Sequence, residues 1–411
     1  MLTLIRNKDL YGLSLFLMLA TFVGFQHWVS PSIGLFFLAL LTEGFFLKNL
    51  NFQKPGLNLF FILLFLFYAV SLVWAEHKDV GLKLLEYKMS FIIFPVLFLF
   101  PKKSTNAWHI LEGFVLGCLI LCARIFILGL TTESTQPVFV TTNEILLMHP
   151  TYVSLYYIFA ISFLIYGKYI GKLDFTWIVI VSLSLLFLYI IYLMGSLASI
   201  LFILIVAYGW VVYHTHLRWK WRGSLVSAVV APLAGLIILF SIPGFRNDFK
   251  VATQAFSELQ HGKESYFEAN RELYDGNKLR MMVWIISSEV ILENPMGVGL
   301  GDIDFYLNKK CDDYNLERLK IKQYNPHNQL LQTGIDIGIP GMLFLILLVY
   351  LFLKDAIRNK NFLIILVLCM LMFNGLFESV LQRQSGIIFF TVLITFMYTY
   401  KDSFCMAKTE V

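Results

Sequence analysis

The chain has 411 residues, of which 58% are hydrophobic and only 14% charged. A water-soluble globular domain carries roughly a quarter of charged residues, so this balance excludes that class and places the chain in a bilayer. The formal charge of +5 does not call for a nucleic acid or another anionic partner, because most Lys and Arg fall in short connections where membrane topology accounts for them.

Apolar runs long enough to cross a hydrocarbon core of roughly 30 Å recur from Leu10 to Tyr400, so the membrane part is the whole fold. The first, 10 to 28, follows Arg6 and Lys8 in the manner of a signal peptide, but no small-residue cleavage pattern ends it and it is read as the first span. The expected architecture is an all-α integral membrane protein of about twelve spans, at 10–28, 31–47, 57–75, 89–100, 108–130, 150–167, 175–194, 197–213, 224–242, 339–353, 362–378 and 386–400. The fourth is short and stops at Pro101, and Met194-Gly195-Ser196 supplies the break in a run otherwise too long for one helix.

Basic residues alternate between the two sides of this map. Arg6 and Lys8, Lys48 and Lys54, Lys102 and Lys103, Lys168 and Lys172, Arg218, Lys220 and Arg222, Lys354, Arg358 and Lys360, and Lys401 and Lys408 share one side. The positive-inside rule makes that side cytoplasmic, together with both termini. The chain then divides into spans one to nine over 1–242, a long outward loop over 243–338, and three spans with a short tail over 339–411. A loop of that length has structure or function of its own. Within it, Leu279 to Leu292 reads as an amphipathic helix suited to a membrane surface. Of the five cysteines only Cys311 lies in the loop, so neither a disulfide framework nor a zinc pattern is expected, and no metal or other cofactor.

The loop also holds the most distinctive residues. Arg280-x-x-x-Trp284 is followed by Asn294-Pro295-x-Gly297-x-Gly299-x-Gly301, then by Pro326-His327-Asn328-x-x-Leu331-Gln332 and Gly338-x-x-Gly341. The glycines do not form a dinucleotide fingerprint, since no strand precedes them; they read equally as a flexible turn or as backbone shaped to a ligand. This order of motifs resembles the O-antigen ligase and polymerase superfamily. His149-Pro150-Thr151-Tyr152 and Glu378-Ser379-x-Leu381-x-Arg383-Gln384-x-Gly386 resemble a subgroup of it.

The resemblance implies a GT-C-like membrane glycosyltransferase in the bacterial inner membrane, with its active face periplasmic under the long loop. It implies transfer of a glycan from undecaprenyl diphosphate to an acceptor hydroxyl; an inverting transfer is expected, and one that needs no metal, because no outward cluster of His, Cys, Asp and Glu has ligand-like spacing. The first choice of acceptor is lipid A core; a second repeat unit, as in a polymerase, and a protein hydroxyl, as in an O-oligosaccharyltransferase, stay open. A transporter or flippase is the reading from another class, disfavoured because the polar residues gather on one face and no two related halves are seen.

The residues can be weighed by their chemistry. A sugar hydroxyl attacking an anomeric carbon needs a base, and neutral imidazole suits that near pH 7, which makes His327 the candidate base against a plain loop histidine. A departing lipid diphosphate needs fixed cations, and Arg binds phosphate bidentately. Arg280 is the first candidate, against a solvated helix charge. Arg383 is a second, against a structural ion pair with Glu378. Arg124 lies inside a span, where it serves a polar cavity or snorkels. Lys88 is either a diphosphate contact or a helix-end charge. Asn328, Glu378 and His149 are supporting residues, His149 as a loop anchor. Relatives often carry Arg after Ser in the turn that here reads Gly195-Ser196-Leu197, so another cation has to stand in for the one missing at Leu197.

Overall fold

The computed structural model describes residues 9–131, 149–241, 243–271, 276–322 and 325–405. Arg6, Lys8, Lys408 and most of the basic-free connection from Thr131 to Pro150 lie outside these residues, as do the side chains of Arg218, Lys220 and Arg222.

Every regular element among the described residues is helical. The first half of the chain contributes α1 (Leu10–Gly24), α2 (Val29–Leu41), α3 (Leu59–Ser71), α4 (Lys78–Lys88), α5 (Ser90–Leu97), α6 (Ala107–Thr131), α7 (Pro150–Tyr169) and α8 (Trp177–Met194). After α9 (Leu197–Ser241) the loop region folds as α10 (Pro243–Leu259), α11 (Lys263–Asn270), α12 (Gly276–Glu293), α13 (Ile303–Asp313) and α14 (Glu317–Lys322). The chain returns to the bundle in α15 (Gln329–Arg358), α16 (Phe362–Gly375), α17 (Gln384–Thr399) and α18 (Lys401–Phe404).

Five helical stretches among the described residues are long and apolar enough to cross a membrane: 26–46, 107–129, α7, α8 and α15. Other apolar helices, α1, α16 and α17 among them, run 10 to 17 residues. The fourth expected span is the clearest departure. Helix α5 has only 8 residues, about 12 Å at 1.5 Å per residue, which is under half of a hydrocarbon core. The expected break between spans eight and nine is likewise absent, since α9 is helical over 45 residues. A straight helix of that length would reach about 67 Å. Leu197 at its start and Asp248 beyond its end nevertheless line one pocket, so the chain returns to its starting level by Asp248.

The bundle core is aromatic and aliphatic, from Tyr11 and Phe36 through Phe114 and Tyr156 to Phe389 and Phe396. At one end a buried charge cluster ties it together: Lys102 Nζ lies 2.7 Å from Glu43 Oε1 and 3.1 Å from Asp9 Oδ1. Helix α17 runs from Arg383 at the opposite end down to Tyr400, whose hydroxyl donates to Lys102 O at 3.3 Å.

The loop helices form a second core from Tyr266, Phe267, Met282, Ile286, Val290, Leu307 and Ile335. This corrects the reading of Leu279 to Leu292 as a membrane-surface helix. Its apolar face, Leu279, Met282, Val283, Ile286 and Val290, is covered by the neighbouring loop helices instead of by lipid. Amphipathic periodicity reports an apolar face but not what covers it. The helix with an apolar stripe left open is α10, where Phe249 and Phe256 are exposed.

Candidate functional site

Helix α15 breaks at Ile337 and Gly338, where φ and ψ leave the helical region. A break strands backbone groups that a continuous helix would pair. Here the glycine-rich turn supplies the partners: Val298 N donates to Ile335 O at 2.8 Å, Gly299 N to Asp336 O at 3.2 Å, and Ile339 N to Pro295 O at 2.9 Å. Gly338 sits at φ +73 with the backbone of Pro295 to Gly297 against it, so no side chain fits there.

The far end of the turn docks on the α3–α4 connection. Fully buried Asp302 accepts from Glu76 N at 2.7 Å and His77 N at 2.8 Å, and its Oδ1 lies 2.8 Å from His77 Nδ1. Gly301 has φ +110, and a Cβ there would meet Gly81 N at 2.6 Å and His77 O at 2.8 Å. These glycines are neither a flexible turn nor, in the contacts seen, a ligand cradle: their close neighbours are the backbones of α15 and of the α3–α4 region, so they serve the packing of the loop on the bundle. Gly301→Ala is therefore expected to destabilise the protein by about 2 to 4 kcal/mol, combining left-handed backbone strain with overpacking. Thermal unfolding in detergent measures this; a midpoint moved by less than about a degree would show that the turn does not carry such packing.

Ahead of the break, the Pro-His-Asn segment leads into the first turn of α15. Asn328 caps the helix, its Oδ1 accepting from Leu330 N at 2.9 Å and Leu331 N at 3.1 Å. A side-chain acceptor on these otherwise orphaned amides fixes where the helix starts. Trp284 of α12 donates Nε1–H to Pro326 O at 2.8 Å, which ties the Arg280 helix to the same segment. His327, held at φ +43 with its N–H donating to Asn325 Oδ1 at 2.9 Å, points its Nδ1 at Glu378 Oε2, 3.1 Å away.

Glu378 lies in the turn between α16 and α17 and is 8% exposed. Burial works to raise its pKa, but the His327 hydrogen bond and the charges of His327, His149 and Arg280 outweigh it, so the carboxyl is held below its ordinary value. An ionised carboxylate only accepts, so Nδ1 of His327 carries the proton in this pair and Nε2 is the basic nitrogen.

A pocket of about 360 Å³ opens beside this pair, lined by His149, Thr151, Gly195, Ser196, Leu197, Asp248, Arg280, Asn374 and Glu378 among others. Arg280 is half-buried on its wall. His149 caps α7, Nδ1 accepting from Thr151 N at 3.4 Å; burial lowers its pKa, Glu378 opposes, and Arg383, His327 and Arg280 add to the lowering. These charges therefore surround one space. Arg383 is exposed at the start of α17, and Glu378 spends its carboxylate on His327 and not on an ion pair with Arg383.

Two of the expected cations sit elsewhere. Lys88 is 1% exposed, donates to Leu381 O at 3.1 Å and Gln382 Oε1 at 3.4 Å, and lies 4.2 Å from the Tyr68 ring centroid. Arg124 donates to Gly24 O at the end of α1 and lies 5.2 Å from the Phe25 ring. Sequence reasoning passed over Asp248 and Asn374. The signal for Asn374 was an amide inside an otherwise apolar run, fully buried here with Oδ1 lacking a partner; Asp248 gave none, because it lies in a mixed polar helix.

Fold and site together define a multi-pass helical membrane protein whose polar side chains converge on one pocket at one end of the bundle, beside a packed loop layer. Residues 182–346 match the model of the O-antigen ligase family, which bears out the resemblance read from the motifs. The chain is also similar to a protein of Rickettsia conorii provisionally named a polysaccharide ligase, with 33% identity over 88 residues, or 20% of this chain and 21% of the relative. A Rickettsia typhi protein with a name of the same kind is 30% identical over 88 residues, 20% of this chain and 22% of its own length. The matched stretch thus spans about a fifth of these relatives.

Proposed function

We propose that this protein is a membrane glycosyltransferase of the O-antigen ligase type, which moves a glycan from undecaprenyl diphosphate to an acceptor hydroxyl on the outer face of the bacterial inner membrane. The observation that carries the reading is the His327–Glu378 pair beside a pocket with Arg280 on its wall. His327 Nε2 takes the proton of the acceptor hydroxyl as that oxygen attacks the anomeric carbon, with inversion. Glu378 holds the ring and stabilises the imidazolium that forms. Arg280, aided by Arg383, meets the charge that develops on the departing diphosphate, so no divalent ion is required. Arg383 is the cation proposed to stand in for the one missing at Leu197, since Lys88 and Arg124 are engaged with backbone carbonyls. Lipid A core is the proposed acceptor.

Removing the gene from its host tests the class of transfer. A ligase leaves full-length carrier-linked chains behind and strips them from lipopolysaccharide, whereas a polymerase leaves single repeats and a protein transferase leaves unglycosylated protein. At the residue level, Arg280→Ala is expected to lower turnover by about 100 to 1000 fold, and Arg280→Lys to recover little of it, because an ammonium lacks the bidentate fork. Purified, folded variants with a defined lipid-linked donor measure this; near-complete recovery by Lys would reduce Arg280 to a general field effect.

A further inference from the structure

The His327–Glu378 contact joins two turns that are far apart in sequence, and it keeps its geometry only if both turns are held in register. Three successive residues at the start of α15 reach across to the 376–382 turn. His327 meets Glu378 Oε2; Asn328 Nδ2 donates to Leu376 O at 3.3 Å; and Gln329 Oε1 accepts from Leu381 N at 2.6 Å. Gln329 is 4% exposed and its own amide is fixed, donating Nε2–H to Thr333 Oγ1 at 3.0 Å. The carbonyl of the same Leu381 receives Lys88 Nζ, brought from α4. Both polar backbone atoms of one turn residue are thus taken by buried side chains from different helices.

Burying an ammonium is expensive, and burial pushes Lys88 down to about 8, with Asp336 opposing. A mere helix-end charge would avoid that cost by turning to water. We propose that Lys88 and Gln329 form a positioning clamp on Leu381 that holds the Glu378 turn against His327. The kinetic part of this inference rests on the function proposed above; the structural part does not.

In folded protein, Lys88→Met and Gln329→Met are expected to lower turnover by about 10 to 100 fold, as a misplacement of about an ångström does, with donor KM nearly unchanged. Adding Lys88→Met to Glu378→Gln should cost less than about threefold more, because both act through one group. Gln329→Glu keeps the acceptor for Leu381 N and should retain activity that Gln329→Met loses, which preserves the test should Lys88→Met fail to insert. A raised donor KM at unchanged turnover in Lys88→Met would make Lys88 a direct diphosphate contact and overturn the clamp. So would effects that multiply fully in the double variant.

A readout independent of catalysis is amide hydrogen exchange of residues 376–383, expected to quicken about tenfold or more in Gln329→Met. Unchanged exchange would refute the clamp whatever the chemistry. Quickened exchange together with full activity in His327→Ala would instead refute the base assignment and leave the clamp standing.

Discussion

His327→Ala is expected to lower turnover by about 100 to 10,000 fold at saturating acceptor while leaving donor binding nearly unchanged, the range that a positioned general base contributes. The side chain is poised for that role by its surroundings. Asn325 fixes its backbone, and Glu378 fixes its Nδ1 and hence its tautomer. The capping of α15 is performed by Asn328, whose Oδ1 accepts from Leu330 N and Leu331 N, so the helix start does not depend on the imidazole. Turnover with purified variant and a defined lipid-linked donor is the measurement, with correct insertion checked first. Near-normal turnover across neutral pH would return His327 to a loop-ordering residue.

Glu378→Gln should reduce turnover by about 1000 to 10,000 fold despite changing a single atom type, since a neutral amide can donate to Nδ1 and stabilise the wrong tautomer. Because the carboxyl titrates below its ordinary value, Glu378 stays ionised above about pH 5, and the loss is expected to be the same size across that range. A loss that vanished toward high pH would point to a role in proton supply and not in orientation. Glu378→Asp, which keeps the charge but draws it back by a methylene, should fall between the two.

Much of the site was legible before any coordinates, for a physical reason. Arg280 and His327 stand in the outward loop within the motifs that carry the resemblance, while Glu378 and His149 stand at the ends of apolar runs, where a polar side chain is costly unless gathered around something polar. One pocket brings Arg280, Glu378 and His149 together, with His327 bonded to its edge. What sequence could not convey was the use to which each cation is put. Lys88 and Arg124 looked like donor contacts by charge and depth, yet each bonds a backbone carbonyl from another part of the chain, 293 and 100 residues away. Such partners leave no local pattern. The same limit applied to α5, whose apolar run looked spanning but ends as a helix at Leu97, with Phe98 leaving the helical region after 8 residues. It applied to α12 as well, whose hydrophobic stripe was real and whose cover was protein.

The break in α15 also bears on which wall of the pocket is free to move. Lifting the loop layer away would expose the carbonyls of Ile335 and Asp336 and free Asp302 from the α3–α4 connection, leaving several backbone groups without partners at once. The layer therefore behaves as a riveted roof and not as a flap. Away from those bonds the pocket is bordered by Gly195–Ala198 and by Asp248 of α10, so that wall can shift without stranding any of the buried backbone groups that pin the roof.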